Sequence, residues 1–144
     1  MALETGQPAP DFTLRDQHGQ DVSLASFRGE KAVVVMFYPY AFSRVCTGEL
    51  CAVRDSLPTF ESDDVQVLAL SCDPVFSLRA FAEQDGLTFP LLSDFWPHGA
   101  VRRGCADRST FIIDKQGVLR WSVHNAMPDA RDLQEQARVL AAVA

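Results

Sequence analysis

The sequence lacks a long apolar run and lacks any cluster of basic residues. A membrane-spanning helix needs about 18 consecutive apolar residues, and none of the apolar runs in this 144-residue chain approaches that length. Nucleic-acid binding is built on clustered Lys and Arg, whereas the formal net charge here is -6. These two absences exclude an integral membrane protein and argue against a nucleic-acid partner.

A secretory signal is also missing from the first ten residues. Glu4, Pro8 and Pro10 stand where a signal peptide has a basic start and an apolar stretch. We therefore expect a cytoplasmic protein. Thiols stay reduced in the cytoplasm, so the four cysteines are expected to be free thiols, catalytic groups or ligands and not a structural disulfide framework.

Paired histidines, the usual complement of a cysteine zinc site, are absent as well. His18, His98 and His124 lie far apart in the sequence. Cys46 and Cys51 are separated by four residues, which is the loose end of the spacing found between zinc ligands. The sequence therefore predicts no metal site, and we expect no bound cofactor.

What the sequence does contain is an alternation of strand and helix patterns. No repeat or long linker divides the chain, so one domain over residues 1–144 is expected. The predicted strands are Asp11–Leu14, Asp21–Leu24, Ala32–Tyr38, Val65–Ser71, Thr110–Asp114 and Val118–His124. The predicted helices are Arg44–Phe60, Phe76–Gln84 with Gly86 as terminator, and Ala130–Val143. This order predicts an α/β, thioredoxin-like fold with a mixed central sheet, flanking helices and an added N-terminal β-hairpin.

Cys46 stands where the buried strand Ala32–Tyr38 gives way to the next helix. Ser43 is a good N-cap residue, which places Cys46 in the first helical turn. In that turn the helix dipole and the free backbone N–H groups favour a thiolate, the nucleophilic form of cysteine. A nearby cation would add to this effect, and Arg44 and Arg108 are the candidates. The alternative for a lone cysteine is a buried thiol that fills a helix face.

The pattern Pro39-x-x-x-Ser43-x-x-Cys46 resembles the active-site motif of the peroxiredoxins. The segments that extend the resemblance are Gly6–Leu14, Ala32–Pro39, Phe89–Asp94 and Arg108–Asp114. Together they span most of the chain, and the likeness is to the AhpE-like branch of actinobacteria and the PrxQ or bacterioferritin-comigratory branch. A thioredoxin-like disulfide carrier is disfavoured, because such proteins carry a C-x-x-C motif at the helix start and position 43 here is Ser.

The resemblance implies a thiol-dependent peroxidase that acts on hydrogen peroxide or small organic hydroperoxides. Cys46 would attack the O–O bond and become a sulfenic acid. Ser43 would hold the peroxide by hydrogen bonds, Arg108 would stabilise the thiolate and the developing charge, and Pro39 would shield the thiolate from water. Glu49 would orient an arginine, with a solvated helix glutamate as the alternative. A thioredoxin- or mycoredoxin-type reductant is implied, and a homodimer is compatible with the resemblance.

Cys51 resembles the resolving cysteine of the PrxQ branch, which would form an intramolecular disulfide with Cys46. Five residues along an ideal helix separate two Cα atoms by roughly 8.7 Å, whereas a disulfide needs about 4.4–6.8 Å. The bond therefore requires the first turns of the helix to unwind. Gly48 lowers the stability of that segment by roughly 1 kcal/mol relative to Ala, which is consistent with unwinding.

Other ways of recycling the enzyme stay open at this point. Cys105 is an alternative resolving cysteine, an external thiol would make this a one-cysteine peroxidase, and a non-catalytic redox sensor is a further alternative. Cys72 is expected to be a buried structural thiol. Only residues 102–107 separate Val101 from Arg108, where relatives carry a longer stretch, which indicates a deletion or, as we favour, a loop omitted from the sequence.

Overall fold

A computed structural model of the chain describes residues 4–95, 108–124 and 132–143. The strands are β1 Thr13–Arg15, β2 Asp21–Ser23, β3 Ala32–Phe37, β4 Val65–Ser71, β5 Leu91–Ser93, β6 Ser109–Ile113 and β7 Leu119–His124. The helices are α1 Arg44–Asp55, α2 Leu57–Phe60, α3 Val75–Asp85 and α4 Leu133–Val143, with a short 3₁₀ helix over Leu24–Phe27. The chain is therefore an α/β protein, as predicted.

The seven strands of the described ranges form one mixed sheet in the order β2-β1-β5-β4-β3-β6-β7. The β3–β4 and β4–β5 pairs are parallel, and the remaining pairs are antiparallel. Every residue of β3 and β4 is buried, as expected for central strands that are covered on both faces. The predicted mixed sheet, flanking helices and N-terminal hairpin are confirmed.

Alternate side chains of β3 and β4 enter two hydrophobic cores, one on each face of the sheet. The first core joins side chains of α1, α3 and α4 to Val34, Met36, Tyr38, Val67 and Ala69. The second joins the N-terminal hairpin region to Val33, Val35, Phe37, Leu68 and Leu70. By this alternation Ser71 falls on the α1 face beside Tyr38.

The prediction of one helix over Arg44–Phe60 was wrong, because two helices cover that range. Helix α1 ends at Asp55, and Ser56 between the helices has φ -111° and ψ 24°. Pro58 is the physical reason, since a proline lacks an amide hydrogen and its ring clashes with the preceding helical turn. The same residue suits the first turn of a new helix, and α2 begins at Leu57.

Strand β5 was not predicted, because three residues are too few to show a period. Its pairing with β4 and β1 defines it as a strand. Gly86 ends α3 in the left-handed conformation at φ 64°, as its position predicted. The predicted start of the last helix at Ala130 lies outside the described residues, which contain that helix from Leu133 onward.

Asp114 organises the turn between β6 and β7. Its Oδ1 accepts hydrogen bonds from the N–H groups of Gln116 and Val118, both at 2.9 Å. Its Oδ2 accepts one from Nε of Arg120 at 2.5 Å. Burial alone would raise the pKa of this carboxyl, but the Val118 and Gln116 N–H groups and Arg120 outweigh burial and hold the pKa below its usual range.

This lowered pKa predicts a contribution of Asp114 to the acid sensitivity of the fold. A carboxyl whose pKa is lower in the folded state stabilises the fold above its unfolded pKa of about 3.9 and loses that contribution as the pH falls through the folded pKa. We expect Asp114→Asn to lose less stability than the unsubstituted chain between pH 5 and pH 2. Urea unfolding across this range measures the difference, and parallel pH profiles would contradict the assignment.

Candidate active site

The first turn of α1 holds Cys46 through a side-chain cap. Ser43 is the N-cap, with φ -69° and ψ 146°, and its hydroxyl oxygen accepts the N–H of Cys46 at 3.3 Å. The Ser43 carbonyl accepts the N–H of Thr47 at 2.8 Å. Cys46 is 1% exposed, so its side chain is buried at the positive end of the helix dipole. These contacts give the cap that the sequence predicted.

The loop from Tyr38 to Ser43 connects β3 to this helix and is anchored to β4 on one side. The N–H of Tyr38 donates to the carbonyl of Leu70 at 3.0 Å. Farther along the loop, the N–H of Ala41 donates to Oδ2 of Asp73 at 2.8 Å. Pro39 is half-buried between these two anchors. The segment that leads to Cys46 is therefore attached to the end of β4 at two points.

Phe42 carries backbone strain next to the cap. Its φ is 66°, and it is the only non-glycine residue in the described ranges with a positive φ. Such a conformation costs roughly 1–2 kcal/mol in a residue that has a Cβ. The ring packs on Phe81 of α3 with the centroids 5.1 Å apart. Packing and the neighbouring anchors hold the loop in a shape that its backbone does not favour.

Arg108 reaches the same edge of the sheet through the register of β6. Met36 of β3 lies opposite Thr110, so the antiparallel register continued by two residues sets Arg108 beside Tyr38. Nη2 of Arg108 donates to Oε1 of Glu49 at 2.5 Å. The two side chains are 1% and 12% exposed. Glu49 therefore faces an arginine from within α1, one turn beyond Cys46, and is not a solvated helix glutamate.

Tyr38 places a phenol in this region. From the sequence it was identified only as the last residue of a strand and not as a site residue. It is 1% exposed, and burial raises its pKa well above the ordinary value. The Ser71 hydroxyl opposes this change, while negative charge on Asp73 and Cys46 adds to it. Tyr38 is therefore a neutral O–H group within electrostatic range of Cys46. A tyrosine that directly precedes Pro39 at the end of a buried strand was the signal available in the sequence.

The other cysteines occupy different environments. Cys46 and Cys51 are free thiols, and Cys72 is not part of a disulfide. Cys51 is half-buried within an unbroken α1, so the helix still separates it from Cys46. Cys72 is half-buried, and its prediction as a buried thiol was wrong, because β4 ends one residue before it. Cys105, the 102–107 connection and the Arg44 side chain lie outside the parts that the structure describes.

The described ranges add two observations on the class of protein. None of their helices has the length and apolar character needed to cross a bilayer. Within the same ranges, no three His, Cys, Asp or Glu side chains are grouped closely enough to hold a metal ion.

Comparison with known proteins connects this geometry to a family. The sequence model of the AhpC/TSA family matches residues 5–122. The chain is a peroxiredoxin of the AhpC/TSA family. It is 45% identical to alkyl hydroperoxide reductase E of Mycobacterium tuberculosis over 150 residues, covering 98% of each protein. It is 36% identical to the chloroplastic peroxiredoxin Q of Populus jackii, covering 96% of this chain and 68% of that protein.

A solved structure gives the same result for the fold. The crystal structure of peroxidoxin BcpB from Mycobacterium tuberculosis superposes with a TM-score of 0.85 at 29% identity and covers 99% of both chains. The thioredoxin-like architecture is thereby confirmed. This peroxiredoxin is an oxidoreductase of the thiol peroxidase class.

The buried Arg108–Glu49 pair predicts a large effect on stability. Glu49→Ala should lower the free energy of unfolding by roughly 3 kcal/mol, because removing one partner of a buried ion pair leaves the other charge poorly compensated. Urea unfolding of the reduced protein measures this change. The matched control is Asp64→Ala, which removes a carboxylate from the exposed Lys115–Asp64 pair and should leave the unfolding midpoint nearly unchanged. Equal effects of the two substitutions would contradict the prediction.

Proposed function

We propose that this peroxiredoxin reduces hydrogen peroxide or organic hydroperoxides at Cys46. The observation that carries the proposal is the position of Cys46 in the first turn of α1, at the edge of the sheet where Ser43, Glu49 and Arg108 also lie. The name of the relative alkyl hydroperoxide reductase E supports organic hydroperoxides among the substrates. The proposal treats residues 1–144 as one catalytic domain.

The proposed reaction is a displacement at the O–O bond. The Cys46 thiolate attacks one peroxide oxygen, the S–O bond forms as the O–O bond breaks, and the leaving oxygen departs as water or an alcohol after it gains a proton. The sulfur is oxidised to a sulfenic acid and the peroxide is reduced by two electrons. Because Cys46 is 1% exposed, the slender end of a peroxide fits this reaction better than a bulky electrophile.

Each neighbouring residue has a role in the proposal. The Ser43 hydroxyl accepts the Cys46 N–H and keeps its own proton to donate to a peroxide oxygen. Arg108 supplies positive charge for the thiolate and for the oxygens in the transition state, which is electrostatic stabilisation by a group already in place. Glu49 orients Arg108 through their ion pair. Pro39, half-buried in the loop, keeps water away from the sulfur.

For recycling, we propose that Cys51 attacks the Cys46 sulfenic acid. The S–S bond forms, water leaves, and a thioredoxin- or mycoredoxin-type dithiol then reduces the disulfide. An intact α1 keeps the two Cα atoms roughly 8.7 Å apart by ideal helix geometry, so the first turns must unwind. A one-cysteine cycle is the second candidate, and the burial of Cys46 means that an external thiol also needs this opening.

The proposal also includes the location, the oligomeric state and the partners of the enzyme. A cytoplasmic location fits Cys46 and Cys51 as free thiols. A homodimer is supported by large apolar side chains that are exposed in the active-site loop and at the start of α3, namely Tyr40, Phe42 and Phe76. No nucleic-acid or membrane partner is included.

Peroxide turnover in three proteins tests the proposal. With thioredoxin, thioredoxin reductase and NADPH present, the unsubstituted enzyme should consume peroxide continuously, and Cys46→Ser should fall to background because a serine hydroxyl is a much weaker nucleophile than a thiolate. Cys51→Ser should consume about one equivalent of peroxide and then slow. Turnover that survives in Cys46→Ser would contradict the assignment of the nucleophile, and full turnover in Cys51→Ser would favour the one-cysteine cycle.

Gly48→Ala tests the proposed unwinding of α1. The alanine Cβ meets no atom within 4 Å, so the substitution should stabilise the helix by roughly 1 kcal/mol. Disulfide formation between Cys46 and Cys51 should then slow about fivefold, since 1.4 kcal/mol corresponds to about tenfold. Quenched-flow sampling with mass spectrometry measures the linked peptide. The rate of sulfenic acid formation is the internal control and should not change, and an unslowed disulfide step would contradict the unwinding.

A further inference from the structure

We propose that Asp73 is a positioning residue for Cys46. Its carboxylate holds the loop between β3 and α1 in the conformation that places Ser43 and Cys46, in the first turn of α1, where they meet the substrate. This inference rests on the proposed function and names an additional residue on which the reaction depends. Asp73 lies two residues beyond β4 and is outside the Pro39-x-x-x-Ser43-x-x-Cys46 pattern.

The contacts of Asp73 join three parts of the molecule at one point. Its Oδ2 accepts the N–H of Ala41 in the loop at 2.8 Å and the hydroxyl of Ser71 at the end of β4 at 2.7 Å. Its carbonyl accepts the hydroxyl of Ser93 at the end of β5 at 2.7 Å. Ser71 is fully buried and Ser93 is 9% exposed. Asp73 therefore connects the loop to the buried ends of β4 and β5.

The loop requires such an anchor because its neighbouring residue is strained. Phe42 follows Ala41 directly and has a φ of 66°, and Ser43 after it caps the helix. Loss of the Asp73 bond would remove one of the restraints on the loop and let the backbone at Phe42 rotate toward an ordinary negative φ. That rotation would displace Ser43, and with it the hydrogen bond that the Cys46 N–H donates to the cap.

The sign of the charge indicates that position, and not electrostatics, is what Asp73 contributes. Asp73 and Cys46 both act electrostatically on Tyr38, and like charges repel, so the Asp73 carboxylate does not assist a negatively charged sulfur. The negative charge on Asp73 also disfavours ionisation of Tyr38 beside it. If charge were its main effect, removing that charge would accelerate Cys46. If Asp73 acts by positioning the loop, a side chain at position 73 that cannot accept the Ala41 N–H should instead slow the reaction of Cys46.

Two substitutions at Asp73 separate shape from charge. Asp73→Asn keeps an oxygen that accepts the N–H of Ala41, and Asp73→Ala removes it. The measurements are the rate constant for stoichiometric oxidation of the reduced protein by hydrogen peroxide and the rate of Cys46 alkylation by iodoacetamide at pH 7, read from the Cys46 peptide by mass spectrometry. We expect Asp73→Ala to lower the peroxide rate constant roughly 10- to 100-fold, as displaced catalytic groups do, and Asp73→Asn to stay within about threefold of the unsubstituted protein.

A matched control separates positioning from loss of stability. Asp114→Ala removes another carboxylate that organises a turn through backbone N–H groups, but it lies beside the start of β3, at the opposite edge of the sheet from Cys46. We expect Asp114→Ala to lower the urea midpoint and to leave both Cys46 rates unchanged. Equal slowing by Asp114→Ala and Asp73→Ala would overturn the inference.

The remaining outcomes also decide the question. Asp73→Asn as slow as Asp73→Ala, no slowing in Asp73→Ala, or faster alkylation in both variants would overturn the positioning role. If the unsubstituted protein does not react with peroxide, the proposed function fails, whereas the alkylation rates still show whether Asp73 positions Cys46.

Discussion

The hydrogen bond from the Cys46 N–H to the Ser43 hydroxyl is the interaction on which the rest of this site depends. It fixes where α1 begins, and the beginning of α1 determines how the sulfur is presented. The sheet contributes the approach, since β3 ends just before this loop and β6 returns with Arg108 at the same edge. The loop between β3 and α1 connects the sheet to the helix and thereby sets the position of the Cys46 sulfur.

The same helical turn serves two opposing requirements in the proposed cycle. As an ordered turn it surrounds Cys46 with N–H groups and buries it, which suits attack on a small peroxide. As an ordered turn it also keeps Cys46 from Cys51 and from any large reductant. Gly48 in this segment limits how firmly the turn is held, and Phe42 adjoins it with a strained backbone. In the proposed cycle the first turns of α1 open after Cys46 is oxidised, while the sheet stays folded.

Glu49 and Asp73 are two carboxylates of the candidate site whose positions in the fold give them different contacts. Glu49 lies on α1 and is paired with the buried guanidinium of Arg108, so its charge is balanced. Asp73 lies beyond β4 and accepts hydrogen bonds from Ala41 and Ser71, so its oxygen works as an anchor point. In the proposed mechanism both act on Cys46 through other groups, and neither requires contact with the substrate.

The sequence predicted features that depend on local chemistry and missed those that depend on distant contacts. The buried strands β3 and β4, the Ser43 cap and the Gly86 terminator follow from neighbouring residues, and all four are present. The helix break at Ser56 was overlooked although Pro58 could have indicated it. Strand β5 is defined by its partners and has no signal of its own.

The same distinction between local sequence and distant contacts applies to the candidate site. A short motif located Pro39, Ser43 and Cys46, and the family resemblance added Arg108 and Glu49. The anchor of Ala41 on Asp73 spans 32 residues, and the pairing of Glu49 with Arg108 spans 59. Contacts of that kind arise from the topology of the sheet, which fixes them only once the strand order is known.

The central claim is that peroxide oxidises the sulfur of Cys46 before that of any other cysteine. One equivalent of hydrogen peroxide added to the reduced Cys51→Ser protein in the presence of dimedone, followed by peptide mass spectrometry, tests it directly. The account predicts a dimedone adduct on Cys46, with Cys72 and Cys105 unmodified. An adduct on Cys72 or Cys105, with Cys46 still a thiol, would contradict it.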